Sequence, residues 1–101
     1  MVDKIFYPES VVVIGVSERP DNLATMIIRN MLAFGYGGDI HAVGLQAGEV
    51  HGVSIVTSVE ALPEDVDLAV ILTPAATVPE LLDACGRKGI RRAVIESGGF
   101  T

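Results

Sequence analysis

The sequence predicts a single α/β domain of three layers, with a mainly parallel β-sheet between two layers of helices. Two apolar segments, within residues 10–16 and 67–73, have the composition of strands that are buried on both faces of a sheet. Segments with helical spacing of apolar residues alternate with the predicted strands. This alternation is typical of parallel sheets with right-handed crossover connections.

The first half of the chain is predicted to form a strand, a helix and a second strand. The first strand, Ser10–Val16, is β-branched and apolar. After a polar loop, Asp21 or Asn22 is available as the N-cap of a helix that Gly35 ends. The second strand is predicted over residues 39–43. The apolar stripe of the helix comprises Leu23, Met26, Ile27, Met31 and Phe34.

Three further strands are predicted in the second half. Residues 53–56 form a short strand near a sheet edge, and residues 58–62 form one helical turn before Pro63. Residues 67–73 and 92–96 form the last two strands. We expect about five strands in the order 3-2-1-4-5, which is a Rossmann-like arrangement that binds ligands outside the carboxyl ends of its central strands.

The helix between the last two strands has start and stop signals. Thr77 and Glu80 have the spacing of a capping box, and Pro79 is tolerated in the first turn. Gly89 ends the helix after two basic residues. Its predicted apolar face comprises Val78, Leu81, Leu82 and Cys85.

The composition argues against several partners and compartments. The chain has 101 residues, a net charge of -6 and 50% hydrophobic residues, so we expect one packed domain that repels nucleic acid. Its apolar runs are far shorter than the roughly 20 residues that cross a bilayer, so no membrane partner is expected. The single cysteine, Cys85, fits a cytoplasmic location.

The chain stops shortly after a predicted strand. A final strand without a covering helix is unusual in a self-contained domain of this class. We therefore expect residues 1–101 to be one domain at the N-terminus of a longer protein. An uncovered strand also favours self-association, for example as a homodimer.

The loop after the first strand lacks the fingerprint of a dinucleotide site. A G-x-G-x-x-G pattern lets the backbone approach a pyrophosphate and the helix pack closely, but Gly15 is the only glycine in this loop. The second strand ends Ala-Val-Gly, without an acidic residue for a ribose hydroxyl. An NAD-binding domain is therefore the less favoured alternative.

Blocks along nearly the whole chain match the pattern of one family. An F-x-P-x-S segment occupies Phe6, Pro8 and Ser10, I-G-V-S lies at 14–17, and Arg19 and Pro20 follow. R-N-M lies at 29–31, D-V-D-L-A-V-I-L-T-P-A at 65–75, C-G-R-K-G at 85–89 and I-E-S-G-G-F at 95–100. In this order the blocks resemble the CoA-binding domain of the nucleoside-diphosphate-forming acyl-CoA synthetases, relatives of the succinyl-CoA synthetase alpha subunit.

The resemblance implies that the domain binds coenzyme A or an acyl-CoA across its carboxyl-end loops. The ligand-binding residues it implies are Gly15, Val16, Ser17, Arg19, Pro20 and Asn22 in the first loop, Val43 and Gln46 after the second strand, Thr73, Pro74 and Ala75 after the fourth, and Ser97 and Gly98 after the last. The chemistry of these residues agrees in outline with binding of a phosphorylated ligand. The Arg19 guanidinium has several N–H donors that can bind a phosphate, and the start of the helix has free backbone N–H groups. From the loop chemistry alone, Arg19 as a solvated charge and Ser17 as a turn residue fit equally well.

Two positions depart from the family pattern. The family usually follows its second strand with V-N-P-K, whereas this chain has Val43, Gly44, Leu45 and Gln46. Replacing the lysine by a neutral amide should weaken phosphate binding by about 1 kcal/mol or more where that contact is desolvated. Leu23 and Ala24 stand where a glycine often opens the helix, and alanine is small enough to preserve close packing.

The chain has no predicted catalytic or metal site. His41 and His51 lack partners at triad or ligand spacing, and Cys85 lies on an apolar helix face.

In the family the phosphohistidine belongs to a following domain. The resemblance thus implies that the full-length protein is an acid–CoA ligase that converts acyl-CoA, ADP and phosphate to acid, CoA and ATP, and that this chain binds CoA without turnover beside the protein's other domains or subunits. The alternative is a degenerate regulatory or interaction domain, as in related protein lysine acetyltransferases.

Overall fold

The computed structural model describes residues 9–96. Six strands and two α-helices form in this part of the chain. The strands are β1 (Ser10–Ile14), β2 (Asp39–Val43), β3 (Gly48–Val50), β4 (Val53–Val56), β5 (Leu68–Ile71) and β6 (Arg92–Ile95). The helices are α1 (Leu23–Ala33) and α2 (Val78–Lys88), and two short 3-10 turns occupy Val59–Ala61 and Ala75–Thr77.

The strands form one sheet in the order β3-β4-β2-β1-β5-β6. All neighbouring pairs are parallel except β3 and β4, which are antiparallel. The five parallel strands stand in the predicted order, and this confirms the Rossmann-like α/β fold. The prediction missed β3, a three-residue edge strand that is joined to β4 through His51 and Gly52, both with positive φ.

The central strand is buried on both faces, as predicted. All five residues of β1 are buried, with Val12 and Ile14 in the core beneath α2 and Val11 and Val13 in the core beneath α1. The predicted strand is two residues too long, because the backbone turns at Gly15, where φ is +110°.

Helix α1 presents a different face to the sheet from the one predicted. Its buried residues are Ala24, Thr25 and Ile28, whereas Leu23 is 42% exposed. Phe34 is 89% exposed, because it is the C-cap and lies beyond the last helical turn. The small Ala24 side chain, only 1% exposed, lies between the helix and the sheet, and the stripe is rotated accordingly.

Helix α2 begins without the predicted capping box. Thr77 has helical backbone angles at the end of the preceding 3-10 turn, and its side chain does not cap the helix. Its hydroxyl instead lies 2.6 Å from both the Pro74 carbonyl oxygen and Thr73 Oγ1. Leu82, which belongs to the predicted apolar face, is 39% exposed, whereas Cys85 is buried and Gly89 ends the helix as predicted. No helix within residues 9–96 is long and apolar enough to cross a membrane.

Candidate functional site

The loops after β1, β2 and β5 meet at the carboxyl edge of the sheet. Gly15 and Val16 both donate their backbone N–H groups to the Val43 carbonyl oxygen, at 2.8 and 3.0 Å. Gly15 also packs directly on the end of β5, where an added side chain would overlap the Leu72 carbonyl oxygen. Gly44 has no room for a side chain either, because the Val16 carbonyl oxygen stands there. The first loop is therefore packed against the ends of β2 and β5, the two strands that flank β1.

A network of hydrogen bonds holds the first loop against α1. The Asn22 side chain caps the helix by accepting from the Thr25 N–H at 2.9 Å, and its amide donates to the Gly15 carbonyl oxygen at 3.1 Å. Thr25 donates its hydroxyl to the Ser17 carbonyl oxygen at 2.6 Å. Ser17 Oγ accepts from the Arg19 N–H at 3.3 Å. Between the two candidate caps, the structure thus selects Asn22, whose side chain shapes the loop.

Thr25 is the residue of this network that sequence reasoning missed. It is only 6% exposed, and it lies three residues after the cap, where its N–H needs a partner. The signal available in the sequence was a threonine among apolar neighbours in the first turn of a helix, since a buried hydroxyl must find an acceptor.

An open cleft of about 450 Å³ lies between the first loop and the end of β5. This volume is within the range of small-molecule sites. Within residues 9–96, the backbone N–H groups of Leu23 and Ala24 have no hydrogen-bond partner. The lining residues are Gly15, Arg19, Asp21, Asn22, Leu23, Ala24 and Leu72. The cleft therefore has the free donors of a helix N-terminus, which favour an anion.

Arg19 brings a positive charge to the rim of the cleft. Its side chain is 78% exposed and lies 3.5 Å from the Asp21 carboxylate, which is 76% exposed. Such an exposed pair contributes little free energy, because water screens both charges. The guanidinium can therefore exchange this partner for a stronger acceptor.

The other residues assigned by resemblance lie around this edge in different ways. Val16 and Val43 have buried side chains, so only their backbone faces the loops. The remaining described ones are solvent-accessible: Ser17, Pro20, Gln46, Thr73, Pro74 and Ala75. A side chain on Gly15 would lie 3.3 Å from Thr73 Cγ2, which places the loop after β5 beside the first loop. Ser97 and Gly98 lie outside the described residues.

Groups with shifted pKa values lie away from the cleft. Burial raises the pKa of the Cys85 thiol, and the charge of Glu60 adds to the rise. Burial also raises the pKa of Tyr36, and three carboxylates add to it: Asp67, Asp39 and Glu9. Among residues 9–96, no three His, Cys, Asp or Glu side chains are grouped so that they could hold a metal ion.

The sequence matches a known domain family and several larger relatives. The family model described as CoA binding domain matches residues 9–101. The chain is 38% identical to acetate–CoA ligase [ADP-forming] I subunit alpha of Pyrococcus furiosus over 98% of its length and 22% of the relative's. It is also 38% identical to acetate–CoA ligase [ADP-forming] I of Archaeoglobus fulgidus, over 98% of this chain and 14% of the relative.

A solved structure has the same fold over nearly the whole chain. The dinucleotide-forming acetyl-coenzyme A synthetase 1 of Ca. Korarchaeum cryptofilum, in complex with phosphate and ADP, superposes with a TM-score of 0.90 at 32% identity. The match covers 99% of this chain and 22% of that one, so the chain spans between about a seventh and about a fifth of the length of these relatives. With a family model that covers nearly all of the sequence, the chain belongs to the CoA-binding domain family found in ADP-forming acyl-CoA synthetases.

Proposed function

We propose that the cleft between the first loop and β5 binds coenzyme A or an acyl-CoA. The observation that carries this proposal is the pair of unpartnered N–H groups, of Leu23 and Ala24, in a cleft whose rim also holds Arg19. A diphosphate needs several donors and at least one positive charge, and this arrangement supplies both. The residues present thus fit the nucleotide end of CoA.

Arg19 has the chemistry to exchange Asp21 for a phosphate. A hydrogen bond to a charged group contributes about 1.5–3 kcal/mol, whereas an exposed ion pair contributes about 0–1 kcal/mol. A phosphate held by the helix N-terminus would therefore displace Asp21 from the guanidinium. The bonds of Asn22 and Thr25 keep the loop in place while Arg19 changes partner.

The other assigned residues complete the proposed ligand path. Ser17 uses its oxygen as an acceptor, which leaves its hydroxyl hydrogen available to a ligand. Thr73, Pro74 and Ala75 would form the opposite wall, and Ser97 with Gly98 would border the pantetheine arm. When bound, CoA supplies the thiol that carries the acyl group.

We further propose that residues 1–101 are the N-terminal, coenzyme-binding domain of a larger cytoplasmic ligase. The reaction would convert acyl-CoA, ADP and phosphate to acid, CoA and ATP. Relatives that are four to seven times longer support this view, because this chain covers only 22% and 14% of them. In this proposal the other domains or subunits carry the catalytic residues, and this chain holds and orients the coenzyme. Self-association through the outer edge of β6 stays a prediction.

Calorimetric titration of the chain with CoA tests the binding proposal. Saturable binding is expected, and Arg19→Gln should weaken it about tenfold, the equivalent of one lost charge-assisted hydrogen bond. Arg91→Gln is the matched control, because Arg91 is exposed and precedes β6, at the opposite edge of the sheet. Absence of CoA binding at millimolar concentration would contradict the proposal and favour the degenerate regulatory domain.

A further inference from the structure

We propose that the acidic side chains in and beside the cleft, along the carboxyl edge of the sheet, select coenzyme A species with few phosphate charges, so that 3′-dephospho-CoA binds at least as tightly as CoA. This inference rests on the proposed function and adds the charge of the preferred ligand to it. CoA carries a diphosphate and a separate 3′-phosphate, and dephospho-CoA lacks only the latter.

Acidic side chains flank Arg19 in the first loop. Asp21 lines the cleft and lies 3.5 Å from the guanidinium. Glu18 is held at the opposite side of the loop, where its carboxylate accepts from the Glu49 N–H at 2.9 Å and lies against Gly48. Glu49 itself is exposed. Of these three, only Asp21 lines the cleft, and Glu18 and Glu49 lie on the side of the first loop towards β3. Together the three carboxylates outnumber the single guanidinium, so this carboxyl edge of the sheet carries a net negative charge.

Basic side chains are scarce at this edge. Within the described residues of the loops after β1, β2 and β5, Arg19 is the only cation, and the loop after β2 presents the neutral Leu45 and Gln46. The other described cations lie on α1, at the end of α2 and at the start of β6: Arg29, Arg87, Lys88, Arg91 and Arg92. Two backbone N–H groups and one guanidinium suffice for a diphosphate. A second, separate phosphate would find no further cation in the described part of these loops, and it would be repelled by the carboxylates of Glu18 and Glu49.

Salt provides a signature of this repulsion. Exposed charges interact over about 10 Å at 0.1 M ionic strength and over about 30 Å at 0.01 M. Raising the salt concentration should therefore improve CoA binding relative to dephospho-CoA binding. A site that held the 3′-phosphate with lysine or arginine would show the opposite trend, because salt weakens attraction.

The test is calorimetric titration of the 101-residue chain with CoA and with dephospho-CoA at low and moderate salt. We expect dephospho-CoA to bind at least as tightly as CoA at low salt, and the difference to shrink as salt is added. Asp21→Asn should tighten CoA binding about threefold and dephospho-CoA binding less, as expected for one exposed charge. Asp83→Asn is the control, because Asp83 is also an exposed partner of an arginine, Arg87, but lies on α2.

The outcomes separate this inference from the proposed function. Tighter binding of CoA than of dephospho-CoA by the unmodified chain, or an equal gain for both ligands in Asp21→Asn, overturns the charge selection and leaves CoA binding intact. Failure of both ligands to bind overturns the proposed function, and the inference falls with it.

Discussion

Replacing Asn22 should destabilise the domain and remove a hydrogen bond that holds the first loop beside the cleft. The side chain caps α1 by accepting from the Thr25 N–H at 2.9 Å, and its amide donates to the Gly15 carbonyl oxygen at 3.1 Å. Loss of an N-cap costs about 0.5–2 kcal/mol, and loss of a part-buried hydrogen bond about 0.5–1.5 kcal/mol. Asn22→Ala should therefore lower the free energy of unfolding by about 1–3.5 kcal/mol, which urea titration measures directly.

Two further variants separate the helix cap from the hydrogen bond to Gly15. Asn22→Ser keeps an oxygen that can cap the helix but has no amide for Gly15, so it should lose only about 1 kcal/mol. Asn30→Ala is the control for a solvent-exposed asparagine of the same helix and should change stability by less than about 0.5 kcal/mol. The reasoning fails if Asn22→Ala is as stable as Asn30→Ala, or if Asn22→Ser loses as much as Asn22→Ala.

The remaining predictions concern packing at the site and the buried thiol. Gly44→Ala should cost about 1–3 kcal/mol in urea titration, because the new methyl group meets the Val16 carbonyl oxygen. In contrast, Gly86→Ala, with open space around it in α2, should stabilise the chain by about 0.5–1 kcal/mol; equal effects would refute the packing argument. Burial, aided by Glu60, raises the pKa of Cys85 above the ordinary thiol value of 9.0. The contribution of the protonated thiol to the free energy of unfolding is therefore complete below that ordinary value and is lost as the pH rises through the pKa of the folded state. The free energy of unfolding should therefore fall above pH 9 with a slope that Cys85→Ala reduces; an unchanged slope would contradict this account.

Local patterns explain why much of the sheet was predictable. A strand with no polar residue between Val11 and Ile14 can only be central, and its burial on both faces confirms this. Edge strand β3 was missed because Gly48–Val50 has no run of β-branched residues. It forms because the turn at residues 51–52 folds it back on β4, which is a tertiary pairing.

The site was predictable only in outline. The order of strands brings the first loop and the loop after β5 to one edge, so the sequence predicted that these two loops meet. It did not distinguish Asp21 from Asn22, because both side chains can cap a helix. Only the amide of Asn22 can also donate to the Gly15 carbonyl oxygen, and that acceptor is seven residues away along the chain.

The sequence by itself determined the alternation of strands and helices, the central position of β1 and the family blocks, because these depend on side-chain chemistry within a few neighbouring residues. Tertiary structure decided which face of α1 is buried, that Thr25 braces the first loop, and that Glu18 is held against β3. Those outcomes depend on which atoms lie opposite each other once distant segments pack. Spacing along a chain limits such encounters but does not select among them.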